Sequence, residues 1–205
     1  MLKLYYAKGT VALATHITLL ECGADFEGIE VNFAANEQQG ADYLAVNRKG
    51  RVPTLITEHG TLTETPAILV YLAQMFPAHN LALINDPFAF ARVQSFNSYL
   101  CSTVHVAHAH KARGARWTDD PVALTAMRAG VTQNMTDCFQ LIEDELIAGP
   151  WVMGERFSIA DPYLFTVTRW AIRDDVDIAQ FPKVAEHFAR IQERPATKTA
   201  MLAHT

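Results

Sequence analysis

The stretch that most restricts the fold runs from Asn47 to Phe76, NRKGRVPTLITEHGTLTETPAILVYLAQMF. It sets a glycine turn at Gly50, the dipeptide Val52-Pro53 and an apolar strand from Thr54 to Thr57. A tight turn at Glu58-His59-Gly60 leads to a second short strand, Thr61 to Thr63, and Glu64-Thr65-Pro66 opens a helix. A proline at a strand entry cannot donate to the ladder, so Pro53 reads as an edge, bulge or cis proline. Thr65 suits the helix cap and Pro66 the first helical position, where a missing N–H costs nothing. A helix start of this kind, with unpaired N–H groups and a hydroxyl, accepts a small carboxylate.

Before this stretch, Leu2 to Tyr6 reads as a buried strand and Val11 to Cys22 as a helix, with Leu13, Ile17 and Leu20 at helical spacing and Gly23 as its stop. Phe26 to Phe33 alternates apolar and polar residues and predicts a half-buried strand; Ala41 to Val46 predicts a short helix. The order is therefore βαβαββα, a mixed sheet covered by helices. Residues 79–86 punctuate the chain as a linker, which separates an N-terminal domain, 1–78, from an all-helical one, 87–205. Asp86-Pro87 and Asp120-Pro121 begin helices expected to reach about Lys111 and Ile147. Further helices are expected from Ser158, Pro182 and Pro195. Ser158-Ile159-Ala160-Asp161 is a capping box with Asp in the third position, a structural device.

Charge and cysteine usage narrow the function. The net charge is −5 with no basic run, which argues against nucleic acid and acidic membrane surfaces. The longest clean apolar run, Ala67 to Ala73, is far short of a membrane span, and the start lacks the pattern of a secretory signal. Three scattered cysteines, Cys22, Cys101 and Cys138, suit a reducing cytoplasm.

The Glu-Thr before AILVYLA, with LYYAKGTVALATHITLLECGADF, YLAVNRKGRVPTL and FSIADPYLFTVTRW, resembles the cytosolic glutathione transferase superfamily over nearly the whole chain, closest to the bacterial beta class. The resemblance implies a thioredoxin-like domain followed by a helical one, a cytoplasmic homodimer, glutathione as co-substrate and no metal. It implies attack of the glutathione thiol on an electrophilic, hydrophobic second substrate or a peroxide. The alternatives are a weak or inactive glutathione- or ligand-binding protein and a glutathione-dependent isomerase or reductase.

On that reading Val52 offers its backbone to the tripeptide as an added strand does, beside Pro53. Glu64 suits the ammonium of the γ-glutamyl end, and Thr65 with the helix start suits its carboxylate. Asn47 and Lys49 are candidates for the glycine carboxylate, with solvated loop positions as the ordinary alternative. The thiol must ionise, yet at a pKa of ~8.5 only roughly 3% is thiolate at neutral pH. Lowering that pKa by about two units takes ~2.7 kcal/mol. The beta-class cysteine position holds Val11 and the next residue is Ala12. The loop after the second strand reads Ala34-Ala35-Asn36-Glu37 and lacks that class's lysine. Thr10 is then the first candidate to meet the sulfur and Tyr6 the second, beside the backbone N–H groups of Thr10 to Ala12. Plain readings, a helix cap for Thr10 and a core aromatic for Tyr6, stand beside these. Ser98 and His105, seven apart on one expected helix face, match positions that reach the ligand cleft in relatives. His108, Arg113 and Trp117 are candidates for the second-substrate pocket, Trp and Arg suiting a planar or anionic electrophile. His105 and His108 form an i, i+3 pair, but no Cys, Asp or Glu at ligand spacing accompanies them, so no metal is expected.

Overall fold

The computed structural model describes residues 1–204. Strands β1 (Leu2–Tyr6), β2 (Phe26–Glu30), β3 (Thr54–Thr57) and β4 (Gly60–Thr63) form one sheet in the order β2-β1-β3-β4. β1 runs parallel to β2, while β3 is antiparallel to both β1 and β4. Between β1 and β2 comes helix α1 (Ala12–Glu21); α2 (Ala41–Val46) precedes β3, and α3 (Thr65–Met75) follows β4.

Alternation along β1 explains the layering. Tyr5 meets Tyr43 of α2 edge-on at 5.7 Å, while the next residue, Tyr6, meets His16 of α1 at 5.5 Å on the opposite face. Leu4, Leu55, Ile68 and Leu72 are buried between the sheet and α3. α1 stops at Gly23, whose φ of 59° is left-handed. There Gly23 N–H bonds to Leu20 O and Ala24 N–H to Leu19 O, satisfying the last carbonyls.

Two compact units divide the chain: Met1–Phe90 together with the chain from Gln192, and Ala91–Ile191. The first therefore includes α10 (Pro195–His204), which the sequence grouped with the helical half. α10 packs along α1, where His16 Nδ1 lies 3.3 Å from His204 Nε2. Arg194 reaches Glu21 through two bonds of 2.6 Å.

The helices beyond the sheet are α4 (Pro87–Tyr99), α5 (His105–Arg113), α6 (Pro121–Ala129), α7 (Val131–Leu141), α8 (Ala160–Arg173) and α9 (Pro182–Gln192). α8 is buried along most of its length, including Tyr163, Leu164, Phe165, Val167 and Trp170. Its start is tied by Asp161, a fully buried carboxylate. Asp161 accepts from the N–H groups of Val152 and Ser158, from Ser158 Oγ and from His187 Nε2. The capping box is therefore present, and His187 adds a donor from α9. Glu143 in turn accepts from Lys183 N–H and Val184 N–H at the start of α9.

Four expectations need correction. β2 ends at Glu30, not Phe33, because Asn32 N–H bonds to Glu37 Oε2 and Asn32 Oδ1 accepts from Ala35 N–H, turning the chain away. The helix expected from Asp120 to Ile147 is broken at Gly130 and closes in a π-helical turn, Ile142–Leu146. The helix from Pro87 reaches Arg113, but through a π-helical turn at Leu100–Val104. Thr65 is not the cap of α3: it is the first helical residue, and Glu64 holds the cap position without a side-chain capping bond.

Candidate active site

In the first unit the geometry converges on the segment between α2 and α3. The Val52-Pro53 bond is cis, and Val52 lies outside the ladder, which starts at Thr54. Asn47 shapes this loop from within. Its Nδ2 donates to Arg51 O at 2.8 Å and to Thr54 Oγ1 at 2.9 Å, and its Oδ1 accepts from Lys49 N–H. Both amide protons are thus engaged within the loop by a buried side chain.

Lys49 and Glu64 come together instead. Lys49 Nζ is 2.7 Å from Glu64 Oε1 and 2.8 Å from Thr63 Oγ1, and both charged side chains are about half exposed. The Glu64 backbone sits at φ 71°, ψ 119°. A non-glycine residue there is strained by about 1–3 kcal/mol, a feature that concentrates at ligand clamps. Thr65 follows, 4% exposed, at the N-terminus of α3.

The start of α1 carries the sulfur candidates. Gly9 is left-handed at φ 69°. Thr10 Oγ1 donates to Ala7 O at 2.7 Å and accepts from Ala12 N–H at 3.4 Å. Its hydroxyl proton is therefore engaged within the turn. Tyr6 is buried, its ring 4.9 Å from His204 and 5.5 Å from His16. Burial, then the Glu30 charge, raises the Tyr6 phenol above its usual range. Burial also pushes His16 down to about 4 and the Cys22 thiol up to about 12. Cys22 and Cys138 are buried thiols.

The second unit holds the other candidates. His105 Nε2 lies 3.3 Å from Arg113 Nη1, and its ring packs on Trp170 at 4.8 Å. His108 stacks on Trp170 at 4.6 Å and 12°, with Nδ1 2.6 Å from the buried carboxylate of Asp174. Trp117, half exposed, meets His110 edge-on at 4.7 Å. Ser98 is exposed. The π-helical turn between Ser98 and His105 widens the helix there, so a spacing of seven no longer keeps them on one face. Among the described residues no group of three or more His, Cys, Asp or Glu is arranged to hold a metal. No described helix is long and apolar enough to cross a membrane.

Sequence reasoning missed Asp174 and the two pairings, Lys49 with Glu64 and His105 with Arg113. Only the last left a trace, as residues eight apart across two helical turns.

A mixed four-stranded sheet with a cis proline before β3 and a strained acidic residue before α3, followed by a helical unit, defines a glutathione transferase-like protein. Residues 1–74 match the N-terminal domain of glutathione S-transferase, and residues 111–190 match its C-terminal domain. The chain belongs to the glutathione S-transferase family. It is 34% identical over 205 residues to glutathione S-transferase GstA of Escherichia coli O157:H7, covering 98% of each chain. A glutathione transferase homolog from Sulfitobacter, solved with bound glutathione, shares 42% identity. It superposes at a TM-score of 0.95 over 98% of this chain and 97% of that one. A bacterial beta-class glutathione S-transferase from Sphingomonas chungbukensis shares 31% identity at a TM-score of 0.86, with 98% of each chain covered.

Proposed function

We propose that this chain is a cytoplasmic, homodimeric glutathione transferase. It binds glutathione along Val52 and Pro53, with the γ-glutamyl end on Glu64 and Thr65; Lys49 meets the glycine carboxylate once its ammonium leaves Glu64. The observation that carries the reading is the strained Glu64 backbone, which presents a carboxylate beside the N-terminus of α3 and within reach of Lys49. Its support is a 42% identical homologue solved with glutathione bound.

The sulfur then lies at the start of α1. The donors for its thiolate are the Val11 N–H, for which the described residues supply no partner, and the Thr10 hydroxyl, once it leaves Ala7 O. One hydrogen bond to the anion and the helix dipole together supply on the order of the ~2.7 kcal/mol required. Cys22 takes no part in thiol chemistry, because burial keeps it protonated. Tyr6 keeps a secondary place. Its phenol senses the Glu30 charge at the far end of β2, the strand paired with β1. The thiolate attacks an electrophilic carbon or a peroxide, with His105, His108, Arg113 and Trp117 as the residues proposed to bound that substrate. Ser98 is retained as a secondary glutathione contact on the strength of the family resemblance alone.

Titration calorimetry with glutathione and conjugation of an aryl halide test the proposal together. Binding with turnover supports it. Binding without turnover across aryl halides, peroxides and mixed disulfides replaces the enzyme with a binding protein. No binding ends the assignment.

A further inference from the structure

Within the helical unit the His105 ring meets the Arg113 guanidinium at Nε2 and packs on the Trp170 indole. Trp170 is itself fixed. It is 2% exposed, and His108 stacks flat on it while bonded to Asp174. These contacts leave His105 little freedom to turn.

A guanidinium carries only donors and does not release a proton. The 3.3 Å bond from Arg113 Nη1 therefore ends on a lone pair of His105 Nε2, and the ring proton must sit on Nδ1. Adding a proton to Nε2 would break that bond and set two cations side by side. The charged groups on the elements packed against α5 are mostly cationic: Arg128 on α6 and Arg116 in the turn after α5, with Asp137 of α7 accepting from Gln133. α5 carries His108, His110 and Lys111, and α8 carries Arg169 and Arg173. Burial, then the Arg173 charge, lowers the Arg169 guanidinium, the response of a desolvated cation among like charges. The acidic group that follows α8, Asp174, is already engaged by His108 at 2.6 Å and Lys111 at 3.2 Å.

We propose that Arg113 is a positioning residue that fixes His105 as a neutral ring protonated at Nδ1, so that His105 shapes the second-substrate pocket without taking up a proton. The pocket role rests on the transferase reading; the protonation state does not. On this account the proton released by the glutathione thiol goes to solvent, and His105 is not its base.

Long-range proton–nitrogen correlation spectra of the labelled full chain test this, with His105 assigned from the signals lost in His105→Gln. The expected result is a pyrrole-type Nδ1 and a pyridine-type Nε2, unchanged between about pH 5 and 8. Arg113→Met should release the ring to titrate near ~6.5, and Arg113→Lys, which keeps a cationic donor, should restore the wild-type pattern. In the glutathione reaction, kcat/KM should gain an inflection near ~6.5 in Arg113→Met that the wild type lacks. A wild-type His105 that titrates near ~6.5, or holds its proton on Nε2, overturns the proposal, as do ring signals unmoved by Arg113→Met. The spectra need no glutathione, so a failure of the transferase reading would leave them standing.

Discussion

Lys49 Nζ lies 2.7 Å from Glu64 Oε1, so the carboxylate proposed to meet a ligand ammonium is already paired with a lysine from the loop before β3. The pair is about half exposed and contributes on the order of 0–1 kcal/mol to stability. Lys49→Met should leave the denaturant midpoint nearly unchanged. It should loosen glutathione by roughly tenfold, the worth of one charge-assisted contact. Calorimetry decides it: tighter binding in the variant would mean that Lys49 only competes for Glu64.

Glu64 itself sets stability against binding. Glycine adopts φ 71° without the strain a glutamate bears, so Glu64→Gly should raise unfolding stability by about 1 kcal/mol while glutathione affinity falls. Glu64→Gln keeps the strain and should lose affinity alone. Urea unfolding and glutathione titration of the two variants separate these effects.

Thr10 and the backbone are distinguishable by substitution. Thr10→Val removes the hydroxyl and should lower aryl halide conjugation at neutral pH by about 10- to 100-fold, one hydrogen bond to an anion being worth about 1.5–3 kcal/mol. Thr10→Ser should retain most of the rate. Equal rates in all three proteins would assign the thiolate to the Val11 N–H alone.

His16 predicts an acid limb in stability. Burial holds its folded pKa at about 4, below the usual histidine value of ~6.5, so the unfolded chain takes the proton first as pH falls. Stability is full above 6.5 and declines between 6.5 and about 4, by on the order of 3 kcal/mol at the end of that window. Urea midpoints across this range should show the slope in wild type and a shallower one in His16→Gln.

Asp161 is a fully buried carboxylate that ties the start of α8 to its surroundings. Asp161→Ala would strand the N–H groups of Val152 and Ser158 and the His187 donor in a dry interior, at a cost of about 3–5 kcal/mol. Thermal unfolding measures it. Turnover per folded molecule should persist, since Asp161 is fully buried.

Where backbone rules act locally, the sequence was legible. Gly23 announced the end of α1, Asp86 and Asp120 cap their helices, and Pro53 marked the entry to β3. The π-helical turns left no such mark. The one at Leu100–Val104 lies between Ser98 and His105 and changes which face each presents, which their spacing of seven does not reveal. Nor does the sequence show the internal partners of Asn47, Arg51 O and Thr54 Oγ1, which lie beyond any local rule. The α10 segment has the composition of any amphipathic helix. Its place in the sheet unit is set by contacts far apart in the chain, His204 with His16 and Tyr6 and Ala203 with the sheet core, which the sequence does not display.

That tie has a consequence for biogenesis. Synthesis proceeds from the N-terminus, and domains commonly fold as they emerge. The sheet unit here cannot be finished in that way, because α10 is translated only after the entire intervening helical unit. Until it arrives, the α1 face bearing His16 stands without its partner helix, so the first unit reaches its final packing only after the last residues of α10 have been made.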